Sequence, residues 1–566
     1  MLTVVIGIVC GLVAVAFHES IRIAESFLAR VARPENSRFW IAWLLAVPTL
    51  GGLVTGPILA RYFPDARGSG IPQVKATYAE RRGRVRLRDS VAKFVLSTIQ
   101  IGSGASLGRE GPTVQICSGV ATALGRLARI TPQAQRRLIP VGAAAGVAAA
   151  FNAPIAAVTF TIEEIIGKLD DTLLTGVIIA AALAAVIERS ILGAHPVFDV
   201  AVHHGLDDAR SLLLYAILGV AAAFVSILFT DTLLTLRLRF RGMARVPEFA
   251  RPAIGGFLTG ATAVLAILLL KAGGVTGGGY ESLRRALSGE LEVKVLLGLC
   301  LAKLLATCFS YSSGGVGGIF APVLFIGAML GGAFGSLDKS LFGHTDQAAS
   351  AFALVGMGAL FSGAIRAPMT SVLIIVEMTS GYELILPLMI ANMSSYLIAR
   401  RFRPQPIYEA LLAQDGLNLE GHHLNEELDR FALKDLVAAD RPFLSFAPSS
   451  PAKEVLRAAS APTWQTVFPV LDEERRIVGV ITHAELRSVL TQNELPDETT
   501  ALDIMRPPAT VTTHHTLRIA LERMRLEGVR ELPVVDDDGR VIGFVDEGAL
   551  AQIYLASLPP ASTRAL

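Results

Sequence analysis

The sequence predicts an all-α polytopic membrane protein with two inverted repeats and broken helices, followed by a small α/β domain. Three observations carry this: an apolar composition, a duplication of nearly constant offset through the larger N-terminal part, and a second duplication of shorter period near the C-terminus. Of 566 residues, 52% are hydrophobic and 18% charged, and the mean hydropathy is +0.52, far from an ordinary soluble domain. Apolar stretches run from Ile41 to Leu53, Leu173 to Val186, Leu212 to Phe229, Ile254 to Leu270, Val293 to Cys308 and Leu384 to Ile398. Several reach the ~20 residues that cross a lipid bilayer. Val141 to Phe151 and Val323 to Ala333 are shorter and rich in Gly and Ala. They are expected to be helices buried in protein that cross only part of the membrane and line a permeation path.

The formal net charge is +2, too small to point to nucleic acid as a partner. Basic clusters at Arg81, Arg82, Arg84, Arg86, Arg88 and at Arg400, Arg401, Arg403 border apolar segments. The positive-inside rule puts both on the cytoplasmic side, and the C-terminal domain with them. The expected location is therefore the cell (inner) membrane, multi-pass. Cys10, Cys117, Cys300 and Cys308 fall in apolar stretches without metal-ligand spacing and read as small buried hydrophobes. The chain starts inside an apolar run without a basic leader, which reads as a first membrane helix.

Self-comparison organises the chain. Gly102 to Pro112, GSGASLGREGP, aligns with Ser312 to Pro322, SSGGVGGIFAP, at an offset of 210, and NAPIAAVTFTIEE, Asn152 to Glu164, aligns with RAPMTSVLIIVEM, Arg366 to Met378, at 214. Such a unit can insert in opposite senses, so that equivalent helix N-termini approach the midplane from both sides. A second repeat, of period 64, relates FPVLDEERRIVGVITHAEL, Phe468 to Leu486, to LPVVDDDGRVIGFVDEGAL, Leu532 to Leu550. Each copy reads as strand, turn, strand, helix. The expected domains are a transport domain over 1–410, with repeat halves near 40–190 and 211–400, a linker at 411–430, and two small units at 431–490 and 500–558.

Three Gly-rich strings carry the chemistry: GSGIP at Gly68 to Pro72, GREGP at Gly108 to Pro112 and GGIFAP at Gly317 to Pro322. Glycine lets backbone N–H groups approach a ligand, and the nearby proline suits a first helical turn. A helix N-terminus holds a desolvated anion through free N–H donors and a partial positive charge, without a full counter-charge. A carboxylate at such a place, as Glu110 is, competes with the anion; protonation removes its charge and lets it swing away, coupling proton to anion. The repeat mate of Glu110 is Phe320, so only one half supplies a titratable group.

With these strings, and with GAAAGVAAAFNAPIAAVTFTIEE, GMGALFSGAIRAPMTSVLIIVEMT and QPIYEALL, the chain resembles the chloride channel and transporter (CLC) family over residues 1–415. The resemblance implies that the Ser69 and Tyr408 hydroxyls and the Ile319 and Phe320 N–H groups coordinate chloride. It also implies an anion site walled by Gly70, Ile71, Gly108, Arg109, Glu110, Gly111, Gly318 and Ala321. Ser69 is what chloride-selective members carry, where a Pro would suggest nitrate. Members form homodimers with one pore per subunit. Two departures stand out: the chain starts directly in an apolar helix, so the cytoplasmic helix that usually precedes it is expected to be missing, and Val316 occupies a position where members carry Pro.

Glu163 has a repeat mate in Glu377, each nine residues after Pro154 and Pro368, and both read as structural carboxylates bonded to backbone. Glu164 has no mate, because Met378 stands there. A buried carboxylate of that kind is functional by default, and in proton-exchanging members it resembles the internal proton relay. Chloride/proton antiport is therefore expected, with Glu110 as gate and Glu164 as relay. The alternative is a passive chloride channel gated by Glu110. An intramembrane enzyme is a remote third reading, since in HESIR, His18 to Arg22, an Arg stands where HExxH needs its second ligand.

The C-terminal repeat resembles a pair of cystathionine-beta-synthase-type (CBS) domains, which implies an adenine nucleotide as a possible ligand. The ribose-contacting pattern, a hydroxyl residue three positions before Asp, is met imperfectly by Thr482 with Glu485 and by Asp546 with Ala549. No other cofactor and no metal site is expected.

Overall fold

The computed structural model describes residues 1–31, 39–79, 85–167, 171–193, 209–343 and 346–417, and in the C-terminal region 428, 431–435, 437, 441–461, 463–490, 496 and 498–548. Arg81, Arg82, Arg84 and Ala549 lie outside the described residues. Two compact units divide at Asn418.

The first unit is helical throughout. Its first eight helices are α1 (Leu2–Val31), α2 (Trp40–Arg61), α3 (Ile71–Ala79), α4 (Leu87–Gly102), α5 (Glu110–Leu127), α6 (Pro132–Phe151), α7 (Pro154–Phe160) and α8 (Asp171–Leu192). The next eight are α9 (Ala209–Arg241), α10 (Arg251–Leu270), α11 (Tyr280–Leu287), α12 (Val293–Ser312), α13 (Phe320–Phe342), α14 (Asp346–Ile365), α15 (Pro368–Thr379) and α16 (Ile385–Phe402), and α17 (Ile407–Gln414) closes the unit. The same neighbours recur eight helices apart: α1 packs on α8 and α9 on α16, α5 on α6 and α13 on α14, α7 on α8 and α15 on α16. The duplication is thus structural. Because α1 plays in the first half the part α9 plays in the second, the first half begins with α1 and not near residue 40.

Local signals set the helix ends. Thr131 caps α6 by accepting the Ala134 N–H, with Pro132 in the first turn, while α7 and α15 each start on a proline, Pro154 and Pro368. Among the described residues, eight stretches are long and apolar enough to cross a membrane. One of them, Phe320–Phe342, is 83% buried over its most apolar window and corrects the expectation for Val323 to Ala333. That segment lies inside a helix of 23 residues. Its small residues mark burial against α12 and α14, a composition that sequence reading mistook for shortness.

The unit also extends past residue 410, because α17 is tied to α9: Arg237 and Arg241 both bind Asp415, Arg237 at 2.9 Å. The linker expected from 411 therefore begins later. All four cysteines are free and buried. Val316 donates its N–H to Gln100 Oε1 at 2.8 Å, a bond that proline cannot make, which accounts for the departure at this position.

The second unit contains α18 (Ala452–Ala459), β1 (Val467–Leu471), β2 (Ile477–Thr482), α19 (His483–Leu490), α20 (Ala501–Ile504), β3 (Val511–Thr512), α21 (Leu517–Glu527), β4 (Glu531–Val535) and β5 (Val541–Asp546). β1 pairs antiparallel with β2, and β4 with β5, in matching registers with a bulge after Val470 and after Val534. Glu531 on β4 accepts the Thr466 and Val467 N–H groups, joining the two copies.

Candidate functional site

Three helices of the membrane unit begin together: α3 at Ile71, α5 at Glu110 and α13 at Phe320. Backbone bridges hold the loops before them. Gly68 donates to the Gly315 carbonyl at 2.9 Å and Gly317 to the Gly68 carbonyl at 3.1 Å, while Gly108 and Gly318 exchange two bonds of 2.7 Å. Three helix N-termini, each with partial positive charge, are thereby fixed against one another. The backbone needs glycine here. A Cβ on Gly108 would stand 2.3 Å from Glu110 Oε2 and 3.1 Å from the Ala321 nitrogen, and one on Gly70, at φ +102, would stand 2.7 Å from the Gly111 carbonyl oxygen.

Into this junction point Ser69, Glu110 and Tyr408, with exposures of 0%, 2% and 0%. Ser69 Oγ lies against Gly111, and the Tyr408 hydroxyl faces Ser69 without a bond of proper geometry. The Glu110 carboxylate faces its own N–H and that of Ala321. Among the described residues, Ser69 Oγ, Glu110 Oε2 and the Tyr408 hydroxyl all lack a hydrogen-bond partner. Leaving a buried polar group unsatisfied costs about 1–3 kcal/mol, so three at one junction mark a site shaped for a ligand rather than for stability. Ile319 and Phe320 are buried at the start of α13, and the Phe320 ring packs 4.6 Å from Phe151 and 4.3 Å from Phe361.

Several functional neighbours were missed from sequence. Tyr280, the first residue of α11, donates to Glu110 Oε1 at 3.2 Å, and the Arg109 guanidinium lies 5.7 Å from its ring centroid. Tyr280→Phe is expected to free the carboxylate and speed chloride turnover about fivefold, in line with the ~1 kcal/mol of one hydrogen bond; chloride efflux from vesicles measures it. Lys93 and Lys303, spaced by 210 like the first motif pair, are both fully buried. Lys93 donates to the Ala66 and Gly68 carbonyls at 3.0 and 2.6 Å, Lys303 to those of Val275 and Gly277 at 3.1 and 2.6 Å. They clamp the loops ahead of α3 and α11, and their shared offset was the signal.

Glu163 and Glu164 sit in a π-helical turn, Thr161–Ile166, that extends α7. Glu163 accepts the Met369 and Thr370 N–H groups of α15 at 3.2 and 2.9 Å, and Glu377 accepts those of Ile155 and Ala156 of α7 at 3.1 and 2.7 Å. Each half thus caps a helix of the other, as a pseudo-two-fold axis requires. Glu377→Gln should lower stability by about 2 kcal/mol, the scale of charge-assisted bonds, seen as a lower melting temperature in detergent with chloride binding retained. Glu164 turns the other way, to Lys75 Nζ at 2.9 Å. It lacks a repeat mate but has an ionic partner, which sequence reading overlooked.

In the C-terminal unit, the Thr482 hydroxyl donates to Glu485, whose carboxylate also accepts the Thr482 N–H at 2.9 Å, capping α19. Asp546 pairs with Arg441 at 3.4 Å, and Arg441 lies 3.9 Å from the Trp464 ring centroid. Of the residues singled out for ribose contact, Thr482, Glu485 and Asp546 are engaged with protein neighbours.

Inverted repeats, helices that begin at the interior and a polar junction between them define an ion-transporting membrane protein. The family described as voltage gated chloride channel matches residues 51–400, and the CBS domain matches residues 433–492 and 501–555. The H(+)/Cl(-) exchange transporter ClcA of Yersinia pseudotuberculosis serotype IB (strain PB1/+) is 33% identical over 426 residues, 73% of this chain and 87% of that protein. ClcA of Salmonella agona (strain SL483) is 33% identical over 72% of this chain and 87% of its own length. Among solved structures, a slow cyanobacterial Cl-/H+ antiporter superposes with a TM-score of 0.66 at 28% identity, covering 73% of this chain and 97% of its own. A eukaryotic CLC transporter shares the fold over 97% of both chains at a TM-score of 0.61 and 19% identity. The chain belongs to the voltage-gated chloride channel family.

Proposed function

We propose that this protein exchanges chloride for protons across the membrane. The observation that carries it is the junction itself, where three buried, unpartnered oxygens meet three helix N-termini. Chloride is held by the Ser69 and Tyr408 hydroxyls and the N–H groups of Ile319 and Phe320. Weak donors and helix ends, with no full counter-charge, allow fast release. The Glu110 carboxylate competes for the same positive ends, and its protonation, which removes that competition, opens the outer route to the anion. Glu164 relays protons from the opposite side. The exchangers among the similar proteins support coupled transport over the passive channel.

The cell (inner) membrane, with the C-terminal unit cytoplasmic, follows from the basic residues that flank the membrane segments. A homodimer with one pore per subunit is the assembly typical of the family to which this chain belongs. For the CBS pair, the engaged Thr482, Glu485 and Asp546 favour a module that stabilises the assembly over an adenine nucleotide site.

Flux in reconstituted vesicles tests the reading. An imposed chloride gradient is expected to drive protons uphill. Chloride movement with no proton movement would establish the channel instead.

A further inference from the structure

Glu164 is 4% exposed in its side chain, so its direct proton exchange with bulk solvent is hindered and a group beside it is placed to hand the proton on. The neighbour it has is a lysine held between two carboxylates. Lys75 Nζ lies 2.9 Å from Glu164 Oε1 and 3.0 Å from Glu409 Oε1. Side-chain exposure rises along this line, from 4% at Glu164 to 12% at Lys75 and 30% at Glu409, which leads from the interior to the surface. The triad also joins the elements that carry the anion ligands. Lys75 is on α3, which begins two residues after Ser69, and Glu409 follows Tyr408 on α17.

A second observation concerns where the anion travels. A cavity of about 1150 Å³ ends against Gly68, the residue before Ser69, and its walls include Val74, Thr77, Arg126, Arg237, Leu412 and Asp415. Both α3 and α17 contribute to it, yet neither Lys75 nor Glu409 is among its lining residues. They occupy other faces of the same two helices. Anion and proton can therefore reach the interior on separate sides of α3 and α17, a separation that exchange demands if protonation is not to depend on the vestibule being free of chloride.

We infer that Glu409 and Lys75 form the inner leg of the proton path to Glu164. A protonated Glu409 and an ionised Glu164 flank the ammonium. One N–H proton leaves Lys75 for Glu164 as the Glu409 acid supplies another, so that Glu164 becomes the acid, Glu409 the carboxylate, and Lys75 is an ammonium before and after. Glu409 then regains a proton from water. Charge is conserved, and the buried cation keeps a carboxylate partner throughout, which avoids the penalty of an unpaired buried charge.

The inference rests on the exchange reading, and one assay separates their failures. The full chain in vesicles under a chloride gradient is compared with Glu409→Gln, Lys75→Met and Lys75→Arg. If exchange itself is wrong, the unaltered protein moves no protons uphill. If exchange holds, Glu409→Gln and Lys75→Met are expected to lower protons moved per chloride at least about a hundredfold, the lower end of what a positioned acid–base group contributes. Chloride flux stays within about twofold, because the anion junction is untouched. Lys75→Arg keeps both ion pairs but holds its protons far more tightly, so its ratio should fall as well. A wild-type ratio in Glu409→Gln, or in Lys75→Arg, overturns the inference. So does loss of chloride flux together with proton flux in Glu409→Gln, which would make the triad a prop for the anion site. Should Lys75→Met fail to fold, Glu409→Gln, altering the most exposed member, decides alone.

Discussion

Glu110→Gln is expected to stop proton movement at the leak of empty vesicles while chloride continues to pass, now at a rate that no longer varies with pH. The substitution keeps the size of the side chain and a carbonyl oxygen that can accept from Tyr280, whose hydroxyl lies 3.2 Å from Oε1 in the unaltered protein. What it removes is charge. Without charge the side chain has no claim on the helix starts at Glu110 and Phe320, so chloride meets no competitor. Nor can an amide carry a proton between the two sides. The readouts are vesicle pH and chloride efflux across a pH series; a variant that keeps full coupling would remove Glu110 from its role.

Glu164→Ala is expected to give the complementary result: uphill proton movement is lost and chloride flux persists with its pH dependence, because Glu110 remains titratable from the outer side. The fold should tolerate the change. Breaking a buried ion pair usually costs about 3–5 kcal/mol when it leaves one charge alone, but Lys75 retains Glu409 at 3.0 Å. A protein that still pumps protons after this substitution would place the relay elsewhere.

Much of this architecture is legible in the sequence because the duplication writes the same constraint twice. Glu163 and Glu377 stand nine residues after Pro154 and Pro368, and that repetition marks them as carboxylates for the backbone of α15 and α7, where their hydrogen bonds lie. The Gly-rich strings likewise mark the three helix starts, since close backbone contact leaves few alternatives to glycine. Singular features left weaker traces. Lys75 lies three residues past the GSGIP string that marks the anion site, but its partners Glu164 and Glu409 are 89 and 334 residues away. Nothing in local composition pairs them. Tyr280 follows three glycines that resemble a simple turn, and its link to Glu110 spans 170 residues. The π turn at Thr161–Ile166 is a slip in backbone bonding without a compositional mark. The full length of α13 was hidden because small residues that pack helices closely also lower apparent hydropathy.

Crystals soaked in bromide offer the most direct measurement of the central claim, since anomalous scattering locates a halide without reference to the protein density. A peak is expected within contact of the Ser69 and Tyr408 hydroxyls and the Ile319 and Phe320 nitrogens, with a second appearing at the Glu110 carboxylate position in Glu110→Gln. Bromide bound only away from that junction, with Glu110→Gln leaving the pattern unchanged, would contradict the idea that acid and anion take turns in one pocket.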